Sequence, residues 1–516
     1  MKLIKFISFA VALIMLVSLF AACAKPENPD GKDSEESKSN TVAIPDTPSS
    51  GSTVESTQSP SSSETLVSDD IDDSVNFGGQ KISILYWKDV ERPEFDVENE
   101  KNADIVLDAL YARNTYVKER LGVEFDWVPQ DGNFGNQAEF VKRAENDVHN
   151  DKDYDIFAGY SLTGATLTLH GCSSNLLDPS LKYLNFNKPW WPQSLIGSAQ
   201  IKNKLYFCSG DISTNLLHMM YAIIYNKDMF KNYNPNVDIY SLVENKEWTF
   251  DKMFELCENV YVDENGNGSK DYGDTFGFMT IDLHFDAFYS GAGLKTIEKD
   301  SNGSLIVSPD FSSERAQSMS ESLVNFLFNS GFAFAEGTNA KYSGAVAMRD
   351  GNAMFVVDRV YITSGTLKEV SDFDIGVLPV PMYDKTQENY VTCMAFPYTL
   401  YSISSGSKNK VAAAATLECM GSEGYRNVTP ALFETSMKLR YVDAEEDADM
   451  FDTIRECVSI DVGRIFCTSY NNLTYSAFRN AIKAKNGNWK VAARPANSQM
   501  TKLSKAINDE LAKLAG

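Results

Sequence analysis

Strands and helices alternate at the start of the part of the chain that can fold. Residue patterns predict strands at 81–87, 123–128 and 154–160, with helices at 103–121 and 138–148 between them. A strand–helix–strand order favours parallel strands, because each helix carries the chain back across the sheet. The sequence therefore predicts an α/β fold that contains a parallel sheet.

Further elements of both kinds follow this first group. Later strands are predicted at 221–225, 276–279, 353–357, 373–377 and 398–402, and long helices at 313–329, 409–421, 444–458 and 498–515. The part of the chain from residue 77 to residue 516 has about 440 residues, which is too long for one hydrophobic core. We therefore expect two domains.

The first 22 residues have the layout of a secretory signal. Lys2 and Lys5 are followed by an apolar stretch at 7–20, and small residues then lead to Cys23. The sequence before Cys23 resembles the lipobox of bacterial lipoproteins, with Phe20 where leucine is usual. Cys23 is then the lipid-bearing mature N-terminus, which places the protein on the extracytoplasmic face of the cell membrane. The alternative is a plain secreted protein that is cut near Ala22.

A polar, acidic segment follows the cysteine. Residues 24–75 contain 12 Asp and Glu against 3 Lys and almost no large apolar side chains. Such a composition cannot bury enough apolar surface to fold, so residues 23–76 are predicted to be a lipidated cysteine with a disordered tether. The remaining body is also acidic, which argues against nucleic acid or an anionic membrane surface as a partner.

The cysteines of the body give no sign of a disulfide framework or a metal site. They are odd in number and scattered in apolar surroundings, without any Cys-x-x-Cys pair: Cys172, Cys208, Cys257, Cys393, Cys419, Cys457 and Cys467. Single buried thiols are the favoured interpretation. The four histidines also lack the spacing of metal ligands.

Several short stretches resemble the bacterial extracellular solute-binding proteins of family 1, the sugar receptors of ABC importers. Each stretch is weakly specific, but they occur in the family's order across 78–515. They include Asn-Lys-Pro-Trp-Trp at 187–191, Tyr-Asn-Lys-Asp-Met-Phe at 225–230, Arg-Asp-Gly-Asn-Ala-Met-Phe at 349–355, Ile-Gly-Val-Leu-Pro-Val-Pro at 375–381 and Met-Phe-Asp-Thr-Ile at 450–454.

This resemblance implies a two-lobed periplasmic-binding-protein-like fold of type II, with hinged lobes and a ligand cleft. Its order of elements puts 77–209 and 358–402 in lobe 1, and 210–357 and 403–516 in lobe 2. It also implies a non-enzymatic, monomeric receptor that captures a carbohydrate, an oligosaccharide in particular, and delivers it to ABC permease subunits.

Candidate ligand contacts are the aromatic and planar polar residues near strand ends and hinges. Sugars present apolar C–H faces and hydroxyl groups, which match aromatic rings and planar hydrogen-bonding groups. Tyr225 enters through the family's Tyr-Asn-Lys, where the tyrosine faces the cleft. Each residue could instead belong to a core. The full set is Trp87, Asp89, Tyr160, Trp190, Asp211, Tyr225, Phe285, Asp358, Arg359 and Tyr361.

One loop has the spacing of a calcium site. Oxygen-bearing residues recur at loop positions one, three, five, seven, nine and twelve, with Gly268 at position six for a sharp turn: Asp263, Asn265, Asn267, Ser269, Asp271 and Asp274. A predicted helix at 250–261 leads into the loop and a strand leads out. Structural Ca²⁺ is therefore expected, and an Asn/Gly-rich solvent turn is the alternative.

Other functional classes remain open at this point. A surface glycan-binding or sensory protein, or a receptor for a peptide or another small solute, would have the same fold. A secreted glycoside hydrolase is disfavoured, because the sequence lacks nucleophile, zinc and phosphate-loop motifs, although a pair of catalytic carboxylates has no sequence signature.

Overall fold

The computed structural model describes residues 67–97, 104–336, 343–433 and 445–514. All of these residues belong to one unit of the chain, 65–516. The predicted signal, Cys23 and residues 24–66 of the predicted tether lie outside the described residues. The tether prediction is wrong at its end, because Asp69 and Ile71 are buried and Asp69 accepts hydrogen bonds from Arg120 and Ser422. No helix in the described ranges is long and apolar enough to cross a membrane.

The first sheet has four strands in the order β12-β3-β1-β2. Strands β1, β2 and β3 are parallel, and β12 is antiparallel to β3. The predicted strand–helix alternation is therefore confirmed. The strands are β1 (Gln80–Trp87), β2 (Val123–Gln130), β3 (Ile156–Tyr160) and β12 (Thr399–Ile403).

The helix between β1 and β2 shows how local sequence sets these elements. Asp104 accepts hydrogen bonds from the first free amides of helix Ile105–Leu121, at Val106 and Leu107. Gly122 ends the helix with φ of 60°, a conformation that glycine adopts without strain. The chain then enters β2 directly, which gives the tight crossover that a parallel pair requires.

The second sheet is mixed. Its order is β11-β4-β10-β6-β5, and β9 also pairs with β6. Strand β4 is antiparallel to both β10 and β11, whereas β10 and β9 run parallel to β6. These strands are β4 (Tyr221–Asn226), β5 (Tyr261–Val262), β6 (Thr275–Ile281), β9 (Ala333–Glu336), β10 (Ala353–Arg359) and β11 (Ile375–Leu378), and a separate hairpin is formed by β7 (Ile297–Lys299) and β8 (Leu305–Val307).

The remaining helices cover both sheets. They are Gln137–Asn146, Ser161–Leu169, Gln193–Ala199, Thr214–His218, Lys227–Tyr233, Ile239–Glu244, Phe250–Leu256, Phe285–Gly291, Glu314–Asn329, Gly344–Arg349, Tyr361–Ser364, Lys410–Glu423, Thr429–Phe433, Glu445–Glu456, Val462–Ile465, Leu473–Lys483 and Trp489–Lys513. The predicted helix at 250–261 is wrong in its second half, because Tyr261 and Val262 form β5.

The chain passes between the two sheets at 208–220 and again at 394–401, and these two crossing segments lie side by side. Cys208 forms an antiparallel bridge with Tyr401, and Met220 forms one with Met394. Glu94, next to them, accepts hydrogen bonds from the Tyr401 hydroxyl at 2.8 Å and from the side chains of Ser213 and Asn215. The two connections are therefore anchored to the first sheet at the same place.

Two elements belong to a different lobe from the one that the sequence predicted. Strand β11 belongs to the second sheet, because it pairs with β4, although 358–402 was assigned to lobe 1. Helix Lys410–Glu423 packs on helix Ile105–Leu121 and on β1, although 403–516 was assigned to lobe 2. Order along the chain could not reveal these placements, since each depends on pairing between distant segments.

The seven cysteines of the body are free. Six are buried and Cys457 is partly buried. Burial raises the pKa of the Cys172 thiol and of the Cys419 thiol, each to about 12, so both stay protonated and unreactive at neutral pH. The interpretation of single buried thiols is confirmed for these residues.

Candidate ligand-binding cleft

A cavity of about 520 Å³ is lined by residues from both large sheets. We call it the ligand cleft. The first sheet contributes residues that follow or end its strands, and the second sheet contributes the start of β4 and the ends of β6 and β10. This is the edge at which open α/β sheets bind ligands. The cavity lining includes Glu91, Phe134, Tyr160, Tyr221, Leu283, His284, Asp358, Arg359, Tyr361, Phe396, Tyr475 and Arg479.

Aromatic rings form much of the cleft wall. The ring of Tyr160 packs edge-on against Trp87, with 5.1 Å between centroids. Trp87 itself is 1% exposed and donates its indole N–H to the Thr399 hydroxyl at 2.9 Å. On the other side, Phe396 and Tyr475 pack edge-on at 5.2 Å. Trp87 therefore supports Tyr160 from behind instead of reaching the cavity.

Two apolar side chains are unusually exposed at this cavity. Phe134, in the loop after β2, is 54% exposed, and Leu283, after β6, is 41% exposed. They come from opposite sheets and line the same space. Large apolar side chains that stay open to solvent around a cavity are typical of a surface that a ligand covers.

A polar group stands at the end of β10. Asp358 accepts hydrogen bonds from the backbone N–H of Arg359 at 2.7 Å and from its Nε at 3.3 Å. The Arg359 guanidinium lies over the ring of Tyr361, 5.4 Å from its centroid. The cleft thus holds a fixed guanidinium beside an aromatic face, a combination that can bind both hydroxyl groups and a sugar's apolar face.

His284 is held neutral beside this group. Its Nδ1 donates to the carbonyl of Val357 at 2.9 Å, and its Nε2 lies 3.5 Å from Asp358. Burial lowers the pKa of His284 more than the Asp358 carboxylate raises it. A neutral imidazole is a polar contact without charge.

Arg479 reaches the cleft from helix Leu473–Lys483, and a buried carboxylate positions it. Asp286 accepts hydrogen bonds from Arg479 and from Arg464. Burial alone would raise the pKa of Asp286, but the two guanidinium groups outweigh burial and hold that pKa below its usual value. Asp286 is therefore ionised at neutral pH and holds both arginines in place.

The structure brings four of the sequence-predicted ligand residues together at the cavity: Tyr160, Asp358, Arg359 and Tyr361. Tyr225 is not among them. It is 2% exposed, and its hydroxyl donates to that of Tyr240 at 3.0 Å. Because β4 runs antiparallel to β10, Tyr221 at its start lies at the cleft, and Tyr225 near its end lies at the opposite edge.

Other predicted ligand residues are structural in this conformation. Asp89 accepts hydrogen bonds from the backbone N–H groups of Gly132 and Asn133 and so closes the loop after β2. Phe285 is 2% exposed and Trp190 is fully buried. A position near a predicted strand end or a proline did not show whether the side chain is exposed or buried in the core.

Asp211 lies in a different cavity, of about 480 Å³, next to the crossing segments. Its Oδ1 accepts hydrogen bonds from Thr429 at 2.6 Å and from Arg455 at 2.9 Å. Burial raises the pKa of Asp211 even though Arg455 opposes that shift. Asp211 therefore ties crossing segment 208–220 to helix Glu445–Glu456, which also packs on β11.

Sequence reasoning missed several cleft residues. Phe134 had a usable signal, since it is an aromatic residue in an Asn/Gly-rich loop directly after a predicted strand. Tyr475 and Arg479 had none, because helix Leu473–Lys483 is placed at the cleft by tertiary packing, in part on helix Phe285–Gly291, which is far away in sequence. Tyr221 required knowledge of strand direction.

The predicted calcium loop, 263–274, connects the antiparallel strands β5 and β6. Asp263 accepts hydrogen bonds from the backbone N–H groups of Gly266 and Gly268, and Asp274 accepts a hydrogen bond from the Tyr261 hydroxyl. Within the described ranges, no group of three His, Cys, Asp or Glu side chains is placed to hold a metal ion. Calcium binding by this loop stays a prediction.

The two sheets, their paired crossings and the cleft define the two-lobed α/β fold of periplasmic binding proteins. The chain is similar to a cyclic α-maltosyl-1,6-maltose-binding protein from Arthrobacter globiformis, with a TM-score of 0.55 and 13% identity over 83% of this chain and 100% of that chain. The predicted fold is confirmed.

Two further solved structures show the same fold. UgpB from Mycobacterium tuberculosis, in complex with glycerophosphocholine, has a TM-score of 0.53 and 10% identity over 83% of this chain and 99% of that one. The GacH receptor of Streptomyces glaucescens has a TM-score of 0.51 and 15% identity over 83% and 99%. No family model and no curated protein matches the sequence. Membership of solute-binding family 1 stays a prediction.

Proposed function

We propose that the protein is an extracytoplasmic receptor that captures a carbohydrate between its two lobes and delivers it to an ABC importer. One observation carries the proposal: exposed apolar side chains and fixed polar groups from both sheets converge on one cavity of about 520 Å³. Such a cavity is large enough for a small-molecule ligand. The combination matches the apolar faces and hydroxyl groups of a sugar.

The solved structures of the same fold support a binding role. Their names describe proteins bound to maltotriose, maltose and maltotetraose, and one bound to glycerophosphocholine. None is named as an enzyme, which favours capture over hydrolysis. The ligand class proposed for this chain is therefore an oligosaccharide.

Small-angle X-ray scattering of the purified protein, with and without a panel of oligosaccharides, tests this function. A receptor of this fold should close on its ligand, because closure buries the ligand between the lobes. We expect a smaller radius of gyration with one saccharide, which is then recovered intact. A saccharide that is cleaved would contradict the receptor role, and binding of peptides alone would contradict the carbohydrate assignment.

We further propose that Cys23 carries lipid and that the polar segment that follows it tethers the body outside the membrane. The support is the order of charged, apolar and small residues before Cys23. In a bacterial host, metabolic labelling with a palmitate analogue should label the wild-type chain but not the C23S variant. Equal labelling of both chains would contradict the anchor.

A further inference from the structure

A second cavity, of about 320 Å³, adjoins the ligand cleft. We call it the Arg92 pocket; its lining includes Arg92, Asp104, Thr214, His218, Ser364 and Lys368. Tyr361 lies between the two spaces. Its ring lines the cleft, while the Arg92 guanidinium lies over it at 4.9 Å and the His218 ring packs edge-on at 6.1 Å. A group in this pocket would therefore sit beside the cleft ligand.

Buried polar groups in the Arg92 pocket lack partners. Arg92 Nε and Thr214 Oγ1 are buried without a hydrogen bond. His218 is 5% exposed, and no hydrogen bond between described residues involves its ring. Buried polar groups in folded proteins almost always have a partner, and each exception calls for an explanation. Two such atoms, Arg92 Nε and Thr214 Oγ1, line one cavity together with the buried His218 ring, which favours a polar ligand there.

The charges in the Arg92 pocket indicate whether that ligand is positively or negatively charged. Arg92 and Lys368 are cationic, and neither forms an ion pair with a described residue. The one carboxylate in the lining, Asp104, already caps helix Ile105–Leu121. His218 adds no charge at neutral pH, because burial and the nearby Arg92 lower its pKa to about 4. Two cations against one carboxylate leave the lining with a net positive charge beside neutral donors, which favours an oxyanion.

We propose that the Arg92 pocket is a second binding site, which takes a small oxyanion, either a carboxylate or a phosphate. Arg92 and Lys368 supply the charge, and Thr214 and His218 supply neutral hydrogen bonds. The oxyanion is either free in solution or an acidic substituent of the sugar held in the cleft. The second source rests on the proposed function, whereas the first does not.

Isothermal titration of the purified protein with inorganic phosphate tests the first source. The variant is K368Q, because Lys368 is exposed and its loss should not disturb folding. The matched control is K505Q, which removes an exposed lysine outside the pocket. We expect phosphate binding that weakens about tenfold in K368Q and is unchanged in K505Q, the loss expected for one charge-assisted hydrogen bond.

A second arm compares an oligogalacturonide with the neutral oligogalactoside of equal length. If the acidic sugar binds more tightly and K368Q removes that advantage, the oxyanion belongs to the solute, whether or not phosphate binds. If phosphate binds but no sugar does, the pocket stands and the proposed function fails. The proposal is overturned if phosphate does not bind and the acidic sugar binds no more tightly than the neutral one. It is also overturned if K368Q and K505Q weaken binding equally.

Discussion

Arg479 donates two hydrogen bonds to Asp286, one to each carboxylate oxygen, at 2.8 and 2.6 Å. Arg464 donates a third at 2.6 Å and also binds the carbonyl of Met394 in a crossing segment. Arg479 lines the ligand cleft, while Asp286 is buried. The Asp286 carboxylate thus links Arg479 in the cleft wall, through Arg464, to the crossing segment that contains Met394.

The D286N substitution should destabilise the protein strongly. Removing the carboxylate leaves two largely buried guanidinium groups without their counter-ion, which costs about 3–5 kcal/mol. Urea denaturation at pH 7 measures the loss, with D509N as the control, since Asp509 is exposed. Equal midpoints for the two variants would contradict the positioning role of Asp286.

The effect of D286N should also depend on pH. The pKa of Asp286 is lowered in the folded state, so its contribution is present above the unfolded pKa of about 3.9 and is lost as the pH falls through the folded value. The stability gap between wild type and D286N should therefore shrink below pH 4. A gap that stays constant to pH 2 would show that the carboxylate charge is not what stabilises the cluster.

Replacing Phe134 by alanine should weaken ligand binding without unfolding the protein. Phe134 is 54% exposed at the cleft, so its loss creates no cavity in the core. An aromatic contact contributes about 0.5–1.5 kcal/mol, which is roughly twofold to tenfold in affinity. Y233A is a matched control, because Tyr233 is 42% exposed and lies outside the cleft. Unchanged affinity in F134A would remove Phe134 from the site.

Glu418 should make the protein less stable as the pH rises. Its carboxyl is buried and accepts hydrogen bonds from Asn185 and Trp191, and burial raises its pKa to about 8 from an ordinary value of 4.5. Between these values the folded state keeps a proton that the unfolded state releases. The free energy of unfolding therefore falls with pH in that window, by up to about 1.4 kcal/mol per pH unit.

The E418Q substitution removes this dependence. The stability of E418Q relative to wild type should rise from pH 5 to pH 8 and then stay level, as measured by urea denaturation across that range. The control is E258Q, because Glu258 is exposed. A relative stability that does not change with pH would show that Glu418 is already ionised near pH 5.

The calcium prediction has a direct test in thermal unfolding. If loop 263–274 binds Ca²⁺, a chelator should lower the melting temperature and added Ca²⁺ should restore it, because a ligand of the folded state stabilises that state. The D263N variant should lose this response. D300N should keep it, since Asp300 also accepts backbone hydrogen bonds from a turn but lies outside the loop. No response in wild type would leave an ordinary turn.

The sequence predicted the longer strands and helices of the fold well. Strands such as β1 and helices such as Ile105–Leu121 depend on local patterns and capping residues, which can be read directly. It did not reveal β7, β8 and β9, because strands of three or four residues have too little pattern. The swapped placement of β11 depended on long-range pairing.

The cleft was only partly predictable for a related reason. Tyr160 and Arg359 end strands whose carboxyl ends face the cavity, so the rule about strand ends found them. Tyr225, which was taken from the resemblance to the solute-binding family, does not line the cavity, because β4 runs in the opposite direction. Arg479 reaches the cavity through the packing of two helices. Strand direction and helix packing are tertiary properties that no local pattern contains.

Thermal unfolding of the purified protein against a panel of oligosaccharides tests the central claim most directly. A ligand that binds only the folded state must raise the melting temperature, by an amount that grows with its concentration. We expect a clear rise with at least one oligosaccharide and no release of reducing sugar. No rise with any saccharide, together with a rise for peptides, would contradict carbohydrate capture, and released sugar would contradict a receptor.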